Sequence, residues 1–299
     1  MFKDKLKQFV LDNPKLVTMK PAGDGLFILK YRRCVFYNSS WNEFLEECRG
    51  TVIDANFNVV ARPFTKIYNF RVEAKSPVLG DSTLVTAYRK VNGFMVAVTW
   101  YNDDILVSTT GSTDSEFVRM ARHMMLTHMS WGDWKEQVKL VAGLTLMFEC
   151  VHPSDPHICP EEVGMYFLGF RENSWDSHVD GFGGDVSQRW EDYAVNFLKC
   201  YAAESYVMTV GELMEKSKAA KHEGFVLYTE NGISAKIKTK YYLVQKALAR
   251  KKDIMSLNKA IIDEEYYPLV THLNGMKVEF NAMDEQSRLD YMRNWLEWN

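Results

Sequence analysis

The chain has 299 residues, of which 46% are hydrophobic and 25% are charged, and its formal net charge at pH 7 is −3. This composition is typical of a globular protein with a substantial core, and no stretch approaches the roughly 20 apolar residues of a membrane span. A nucleic-acid partner would need the 36 Lys and Arg residues to be concentrated locally. The five cysteines show no paired spacing and the first residues lack the apolar run of a signal peptide, so we expect a cytoplasmic protein.

The first part of the chain predicts one helix followed by strands. Residues 1–13 alternate charged and apolar side chains at helical spacing. Asn102 and Asp103 are typical of a hairpin turn between two strands. Short or alternating apolar runs predict strands at Gly25–Tyr31, Thr51–Arg62, Leu84–Arg89, Phe94–Trp100 and Asp104–Thr110.

Helices and strands then alternate before the strand pattern ends. Helices are predicted at Asp114–Met129, with Ser112 or Thr113 as its cap, and at Trp134–Val141. Residues 185–218 also favour helices. From Tyr241 onward only helical periodicity is found, which predicts an α+β body of about 240 residues and a small helical tail domain. The remaining strands are predicted at Leu144–Val151, Gly164–Phe170, Gly224–Thr229 and Ile233–Ile237.

Lys90 opens a Lys-Val-Asn-Gly string and is a candidate nucleophile. A Lys-x-x-Gly string is expected about once by chance in a chain of this length, so the motif alone is weak. Gly93 would allow a tight turn through which phosphate approaches the backbone. A lysine with its ordinary pKa of about 10.4 is protonated at neutral pH, so its pKa has to be lowered.

Lys236 and Lys238 lie two residues apart in a predicted strand, so their side chains point to the same side. Like charges disfavour an ammonium ion, and we therefore expect this pair to lower the pKa of Lys90. The same two cations could hold a phosphate and stabilise charge that grows on it. The alternative is a solvated strand edge.

Glu149 and Glu223 are the candidate carboxylates. Glu149 lies in an otherwise apolar strand, where a carboxylate is costly unless it has a partner. One of the two could accept a hydrogen bond from a ribose hydroxyl, and the other could bind a divalent metal through oxygen. A helix cap or surface ion pair is the alternative, and it suits Glu223 better.

An apolar slot for a base is the last component. Tyr166, Leu168 and Phe170 alternate along a predicted strand and would present one face, with Val226 closing the opposite side. Core packing explains each of these residues equally well.

Four possible zinc ligands cluster within ten residues. Their spacing lacks the usual paired halves of a zinc site, and the prolines among them disfavour a helix. The four residues are Cys150, His152, His157 and Cys159.

Taken together, the motifs resemble the covalent nucleotidyltransferase superfamily of ATP-dependent ligases and mRNA capping enzymes, and more closely the RNA ligase 1 family of bacteriophages. The similarity extends in order from about Cys34 to Leu243. The stretches that carry it are Glu47–Gly50 with Ala61–Phe70, Lys90–Gly93 with Thr109–Ser112, and Phe148–Ile158 with Phe167–Asn173.

The resemblance implies an α+β nucleotidyltransferase domain over residues 1–243, with antiparallel sheets like those of ATP-grasp proteins and flanking helices. A helical C-terminal domain would occupy residues 244–299. Lys90 would become adenylylated, with Lys236 and Lys238 on the α-phosphate.

The same resemblance implies the other contacts to ATP. Arg49 and Lys66 would grip the phosphates, and Glu149 would bind the ribose. Glu223 would engage the catalytic metal. The remaining members of the ATP site would be Asn92, Gly93, Leu168 and Val226.

The implied reaction needs ATP and Mg²⁺, with Mn²⁺ as a substitute. Lysyl-AMP forms first, AMP passes to an RNA 5′-phosphate, and a 3′-hydroxyl then displaces AMP. The implied partner is RNA with such ends, including cleaved tRNA, and the enzyme would be a monomer in the cytoplasm, the host's if the source is viral.

The chain departs from the family pattern at three places. Asn92 stands where Asp is commoner, which keeps an acceptor and loses a charge, and Thr110 stands where some members have a basic residue. The tail is also shorter than that of the best-known relatives.

Three alternatives remain open. A DNA ligase or capping enzyme would carry a β-rich oligonucleotide-binding barrel after Lys238, where helices are predicted. A polynucleotide ligase acting on nicked duplexes would share the nucleotide site. A non-catalytic RNA-binding relative would be expected to lose the nucleophile or the lysine pair.

Overall fold

The computed structural model describes residues 1–155, 157–177, 184–250 and 266–298. Its fold is α+β, as predicted, with three sheets and flanking helices. No helix within these ranges is long and apolar enough to cross a membrane.

The first sheet is antiparallel and has its four strands in chain order. Three helices pack on it around a core that includes Leu6, Leu29 and Leu45. The strands are β1 (Val17–Pro21), β2 (Leu26–Tyr31), β3 (Arg49–Asp54) and β4 (Val59–Ala61), and the helices are α1 (Phe2–Asp12), α2 (Arg33–Tyr37) and α3 (Glu43–Glu47).

The prediction of one strand over Thr51–Arg62 is wrong, because this segment forms the β3–β4 hairpin. The Asp54 carboxylate accepts hydrogen bonds from the backbone N–H groups of Asn56 and Asn58, at 2.8 and 2.9 Å. An aspartate that bonds its own following backbone favours a turn over an extended strand.

The second sheet has the order β10-β9-β8-β6-β7 and places the largest core cluster between one of its faces and three helices. Asn102 and Asp103 form the predicted turn, with φ of 49° and 57°. Ser115, and not Ser112 or Thr113, caps the helix that follows. The elements are β6 (Phe94–Tyr101), β7 (Asp104–Thr109), α4 (Glu116–His128), α5 (Trp131–Leu140), β8 (Leu144–Val151), β9 (Gly164–Glu172), α6 (Gly184–Asn196) and β10 (Tyr201–Ala202).

The third sheet is antiparallel, with the order β11-β5-β12-β13. Its strands β5 and β11 come from distant parts of the chain, and β11 lies in the 185–218 segment that was predicted to be helical. That prediction is correct for two helices and wrong for the two strands between them. The elements are β5 (Leu84–Arg89), β11 (Ser205–Thr209), α7 (Val210–Ala219), β12 (Gly224–Tyr228) and β13 (Ser234–Lys238).

The residues described after Lys238 form helices around their own core. This core also takes in Ile158 and Cys159, which lie between β8 and β9. The predicted domain boundary at 243/244 lies inside the first of these helices, and residues 251–265 of the predicted helical tail lie outside the described residues. The helices are α8 (Lys240–Arg250), α9 (Tyr267–Gly275), α10 (Lys277–Ala282) and α11 (Glu285–Trp298).

Candidate active site

A cavity of about 280 Å³ lies where the three sheets meet. Of the residues predicted for the site, those that line it are Arg49, Lys90, Glu149, Leu168, Val226 and Lys236. The other predicted site residues do not line the cavity but lie close to it. They are bonded to one another or to Glu73 and Glu149: Lys66, Asn92, Gly93, Glu223 and Lys238.

Lys90 follows β5 directly and is fixed by its backbone, whose N–H donates to the carbonyl of Gly224 at 2.8 Å. Its Nζ donates to Glu223 Oε2 at 3.0 Å. Burial alone would disfavour the ammonium ion, but Glu149 and Glu223 raise the pKa of Lys90 above its usual range. The prediction that Lys236 and Lys238 lower this pKa is therefore wrong, because the two carboxylates outweigh the two lysines.

Glu223 is the hub of the charged network and is almost fully buried. One oxygen of its carboxylate accepts hydrogen bonds from Lys90 Nζ and Asn92 Nδ2, and Lys238 Nζ lies 3.1 Å from the other oxygen. Burial would raise the pKa of Glu223, yet Lys90 and Lys238 lower it below the usual value. A buried carboxylate with three donors is a far better fit to a site than to the surface ion pair considered as an alternative.

Glu149 lies on β8 and accepts a hydrogen bond from the N–H of Gly93 at 3.0 Å. Burial raises the pKa of Glu149 even though Lys90 opposes the shift. The packing gives a further reason for glycine at position 93. A Cβ there would collide with the carbonyl of Cys150, so glycine allows the loop of residues 90–93 to lie directly on β8.

Three cations cluster at one end of the cavity: Arg49, Lys66 and Lys236. Burial, together with repulsion from Lys66 and Arg49, lowers the pKa of Lys236 to about 7. Arg49 is held by the carbonyl of Thr65 at 2.9 Å. This crowding of positive charge suits a polyanion, which would relieve the repulsion.

Glu73 is a residue that the sequence analysis missed. Its carboxylate accepts hydrogen bonds from Lys66 Nζ and from the backbone N–H of Asn69, both at 2.6 Å. Lys66 Nζ also lies 4.4 Å from the centre of the Tyr68 ring, a cation–π contact. Nothing in the local pattern around Glu73 distinguishes it from a surface acid.

A β-bulge shapes the apolar wall of the cavity. Phe148 pairs with Phe167 while Met147 pairs with Gly169, so Leu168 has no partner across the ladder. Leu168 lines the cavity opposite Val226, whereas Phe170 packs into the core under the helices. The prediction that Tyr166, Leu168 and Phe170 share one face is wrong, because the bulge breaks the alternation.

Asn92 bridges two parts of the site through its amide. Nδ2 donates to Glu223 at 2.9 Å, and Oδ1 accepts the backbone N–H of Cys159 at 3.0 Å. An aspartate in this position would place a second carboxylate against Glu223. The amide therefore supplies a donor that the commoner residue lacks.

The zinc alternative finds no support in the geometry. Within the described ranges, no group of three His, Cys, Asp or Glu side chains is arranged to hold a metal. His152 instead lies against His123, with their ring nitrogens 3.1 Å apart, and Cys150 and Cys159 are buried.

Comparisons with known proteins point to one family. Residues 47–242 match the RNA ligase family model of the T4 RNA ligase 1 type. A protein of Autographa californica nuclear polyhedrosis virus, named as a bifunctional polynucleotide kinase/RNA ligase, is 22% identical over 307 residues, covering 92% of this chain and 42% of that protein. The chain thus spans well under half the length of that curated relative.

Two solved structures share the fold. An archaeal ATP-dependent RNA ligase (form 1) aligns with a TM-score of 0.58 and 14% identity, covering 96% of this chain and 75% of that one. An Aquifex aeolicus protein named as an ATP-dependent DNA ligase aligns with a TM-score of 0.56 and 16% identity, covering 90% and 70%. These likenesses confirm the predicted ligase-type nucleotidyltransferase fold. Because the family model matches more than half of the chain, the protein belongs to the RNA ligase family.

Proposed function

We propose that this chain is an ATP-dependent RNA ligase that carries AMP on Lys90. The observation that supports this most strongly is the position of Lys90. Its Nζ lies between two buried carboxylates, beside a cavity with an apolar wall and a cluster of cations. Side chains suited to nucleophilic attack, to a base and to phosphate therefore lie together, which supports the proposal.

The cavity suits ATP in one orientation. Leu168 and Val226 would contact adenine, and Glu149 would accept a hydrogen bond from a ribose hydroxyl. Arg49, Lys66, Lys236 and Lys238 would surround the phosphates; Asn92 and Gly93 would hold the two carboxylates in place. Mg²⁺ or Mn²⁺ would supply charge that stabilises phosphate oxygens, and Glu223 offers the carboxylate that such ions prefer.

The chemistry would proceed by three displacements. Lys90 Nζ, once deprotonated, attacks the α-phosphorus, and the bond to the β-phosphate oxygen breaks as pyrophosphate leaves. An oxygen of an RNA 5′-phosphate then attacks the same phosphorus and the P–N bond breaks, returning the electron pair to Lys90. An RNA 3′-hydroxyl finally attacks the 5′-phosphate, loses its proton and expels AMP. Lys236 and Lys238 would stabilise the charge in the displacements at the α-phosphorus.

The natural setting that we propose is RNA repair. The substrates would be RNA 5′-phosphate and 3′-hydroxyl ends, such as those of a cleaved tRNA, and the enzyme would act as a monomer in the cytoplasm, the host's if the source is viral. The residues described after Lys238 contain no strand, so they do not form the β-barrel expected of a DNA ligase or capping enzyme. The support for RNA as the substrate is the match of residues 47–242 to the RNA ligase family.

The test is a sealing assay with the purified chain, ATP and Mg²⁺. We expect a linear single-stranded RNA with a 5′-phosphate to be circularised or joined, and an RNA lacking that phosphate to be inert. Lys90→Ala should abolish both the label transferred from ATP to the protein and the sealing, whereas Lys139→Ala, on the exposed end of α5, should retain both. Sealing of nicked DNA alone, labelling by GTP instead of ATP, or no labelling of the wild type would contradict the proposal.

A further inference from the structure

A second groove, with a volume of about 490 Å³, adjoins the cavity and shares Met95 and Thr110 with it. One side of this groove is the loop of residues 109–112, and the other side carries two lysines of the first sheet, Lys20 and Lys30. The nucleotide chemistry described above uses neither lysine.

The strand register places three cations in neighbouring strands. Lys30 on β2 pairs with Arg49 on β3, and Lys20 on the edge strand β1 pairs with Ile28, two residues before Lys30. Side chains two residues apart on a strand share a face, so Lys20, Lys30 and Arg49 lie on the same side of the sheet. They form a basic track (Lys20, Lys30 and Arg49) that runs from the sheet edge to the wall of the cavity.

The track is held against the loop by close contacts. Lys20 Nζ lies 3.4 Å from the carbonyl of Gly111, and a methyl group at Gly111 would come within 2.9 Å of Lys30 Nζ. Thr113 Oγ1 donates to the carbonyl of Ala22 at 2.7 Å, which ties the loop to the β1–β2 hairpin. The lysines are therefore placed by the fold even though both are exposed.

Within the described part of the chain, neither Lys20 nor Lys30 forms an ion pair. Asp114 also lines the groove, but its carboxylate lies 3.5 Å from Arg119. The hydroxyls of Thr110 and Ser112 add donors without charge. The groove thus presents positive charge and hydroxyl donors, which are the groups that bind nucleic-acid phosphates.

An aromatic pair lies at the far side of the groove. Phe94 and Phe117 both line it, their ring centres are 5.0 Å apart, and Phe117 is 43% exposed. Exposed aromatic rings beside a basic groove are typical stacking surfaces for single-stranded bases. ATP has one base, for which the cavity already provides Leu168 and Val226, so a ring here suits a second nucleotide.

We propose that the basic track binds the backbone phosphates of a single-stranded RNA, leading one strand past the 109–112 loop toward Lys90, with Phe117 stacking on a base. This inference rests on the proposed ligase function and adds the path of its RNA substrate. The other source of phosphate is ATP itself, whose distal phosphates would reach Arg49 from within the cavity.

The experiment compares Lys20→Ala/Lys30→Ala with a control, Lys5→Ala/Lys15→Ala, which removes the same charge from exposed positions elsewhere in the N-terminal region. One arm measures lysyl-AMP formation against ATP concentration. The other measures sealing of RNA that already carries a 5′-adenylate, without ATP. For the track variant we expect that lysyl-AMP formation depends on ATP concentration as in the wild type, and that the KM for RNA rises about tenfold. The slope of log Kd for RNA against log salt concentration should fall by about 1.4, because each lost contact with a single strand removes ~0.7. The control should match the wild type.

Substitutions at Phe117 provide an independent test of the RNA path. Phe117→Ala should raise the KM for adenylated RNA about fivefold, whereas Phe117→Trp should keep it, because tryptophan still offers a stacking face. An unchanged KM and salt slope in the track variant would overturn the inference. A raised KM for ATP with normal RNA sealing would also overturn it and assign the lysines to ATP. A wild type without either activity would instead sink the proposed function.

Discussion

At the scale of single residues, the two ends of the site differ in charge: carboxylates dominate one end and cations the other. Lys90 is surrounded by carboxylates and is held as an ammonium ion, whereas Lys236 is surrounded by cations and has a pKa of about 7. Lys236, for which we propose a contact with the α-phosphate, is therefore closer to neutral at physiological pH than Lys90 is. Binding of a polyanion should reverse this, because negative charge favours the ammonium form.

The lowered pKa of Lys236 predicts proton uptake when phosphate binds. At pH 8 the free protein holds Lys236 mostly neutral, and bound anion should raise its pKa, so that up to about one proton is taken up. At pH 6 the side chain is already protonated and uptake should vanish. Calorimetry of a non-hydrolysable ATP analogue without metal, in buffers of different ionisation enthalpy, measures this directly.

A matched variant isolates the residue responsible. Lys236→Arg keeps the positive charge but stays protonated at both pH values, so uptake at pH 8 should be lost while binding is retained. Equal uptake in wild type and Lys236→Arg would show that another group supplies the titration.

At the scale of elements, the site depends on how the first and second sheets are joined. Glu47, at the end of α3, is buried and bonded to two guanidinium groups, with Arg62 Nη2 and Arg171 Nη2 at 2.8 and 3.0 Å from its Oε1. Arg62 follows β4, and Arg171 lies on β9. This triad fixes Arg49, two residues further along the chain, relative to the strand that carries Leu168.

Neutralising Glu47 should destabilise the whole fold. Glu47→Gln would leave two buried guanidinium groups without their anion, which typically costs ~3 kcal/mol or more. Urea unfolding at pH 7 should show this loss, whereas Glu43→Gln, on the exposed side of the same helix, should stay within about 0.5 kcal/mol.

The triad also gives a pH signature. Burial would raise the pKa of Glu47, but Arg171 and Arg62 lower it below the usual value. A depressed pKa contributes stability above the unfolded value of about 4.3 and loses it as the pH falls through the folded value. The difference between wild type and Glu47→Gln should therefore shrink below about pH 4; a constant difference would rule out this electrostatic origin.

At the scale of the whole molecule, the C-terminal helices are connected to Lys90 through a short series of hydrogen bonds. Arg293 on α11 donates to the carbonyl of Ile158 at 2.6 Å. The next residue, Cys159, donates to Asn92, which in turn bonds Glu223 beside Lys90. The helical tail thus braces the part of the chain that carries Lys90 and Glu223.

Breaking this brace should slow the first chemical step. Arg293→Ala is expected to reduce lysyl-AMP formation about tenfold, equivalent to ~1.4 kcal/mol, the size of one charge-assisted hydrogen bond. Arg250→Ala removes an exposed ion pair with Glu285 in the same helical cluster and should change the rate less than twofold. Equal effects of the two variants would argue for general loosening of the tail.

The sequence was informative where chemistry follows from short-range pattern. Lys236 and Lys238 had to share a side because of strand periodicity, and the order of motifs predicted that Lys90 and Glu223 belong to one site. The pKa of Lys90 could not be predicted, since its sign depends on distances to Glu149 and Glu223 across separate strands. The bulge at Leu168 and the approach of Lys20 and Lys30 to Gly111 were equally hidden, because they arise from pairing between segments far apart in the chain.

The central claim is that AMP becomes bonded to Lys90. The most direct measurement is peptide mass spectrometry of the chain after incubation with ATP and Mg²⁺ in the absence of RNA. We expect one AMP adduct per chain, located on the Nζ of Lys90 and released when 5′-phosphorylated RNA is added. An adduct on any other side chain, or no adduct on protein that is folded and binds ATP, would show that Lys90 is not the residue that carries AMP.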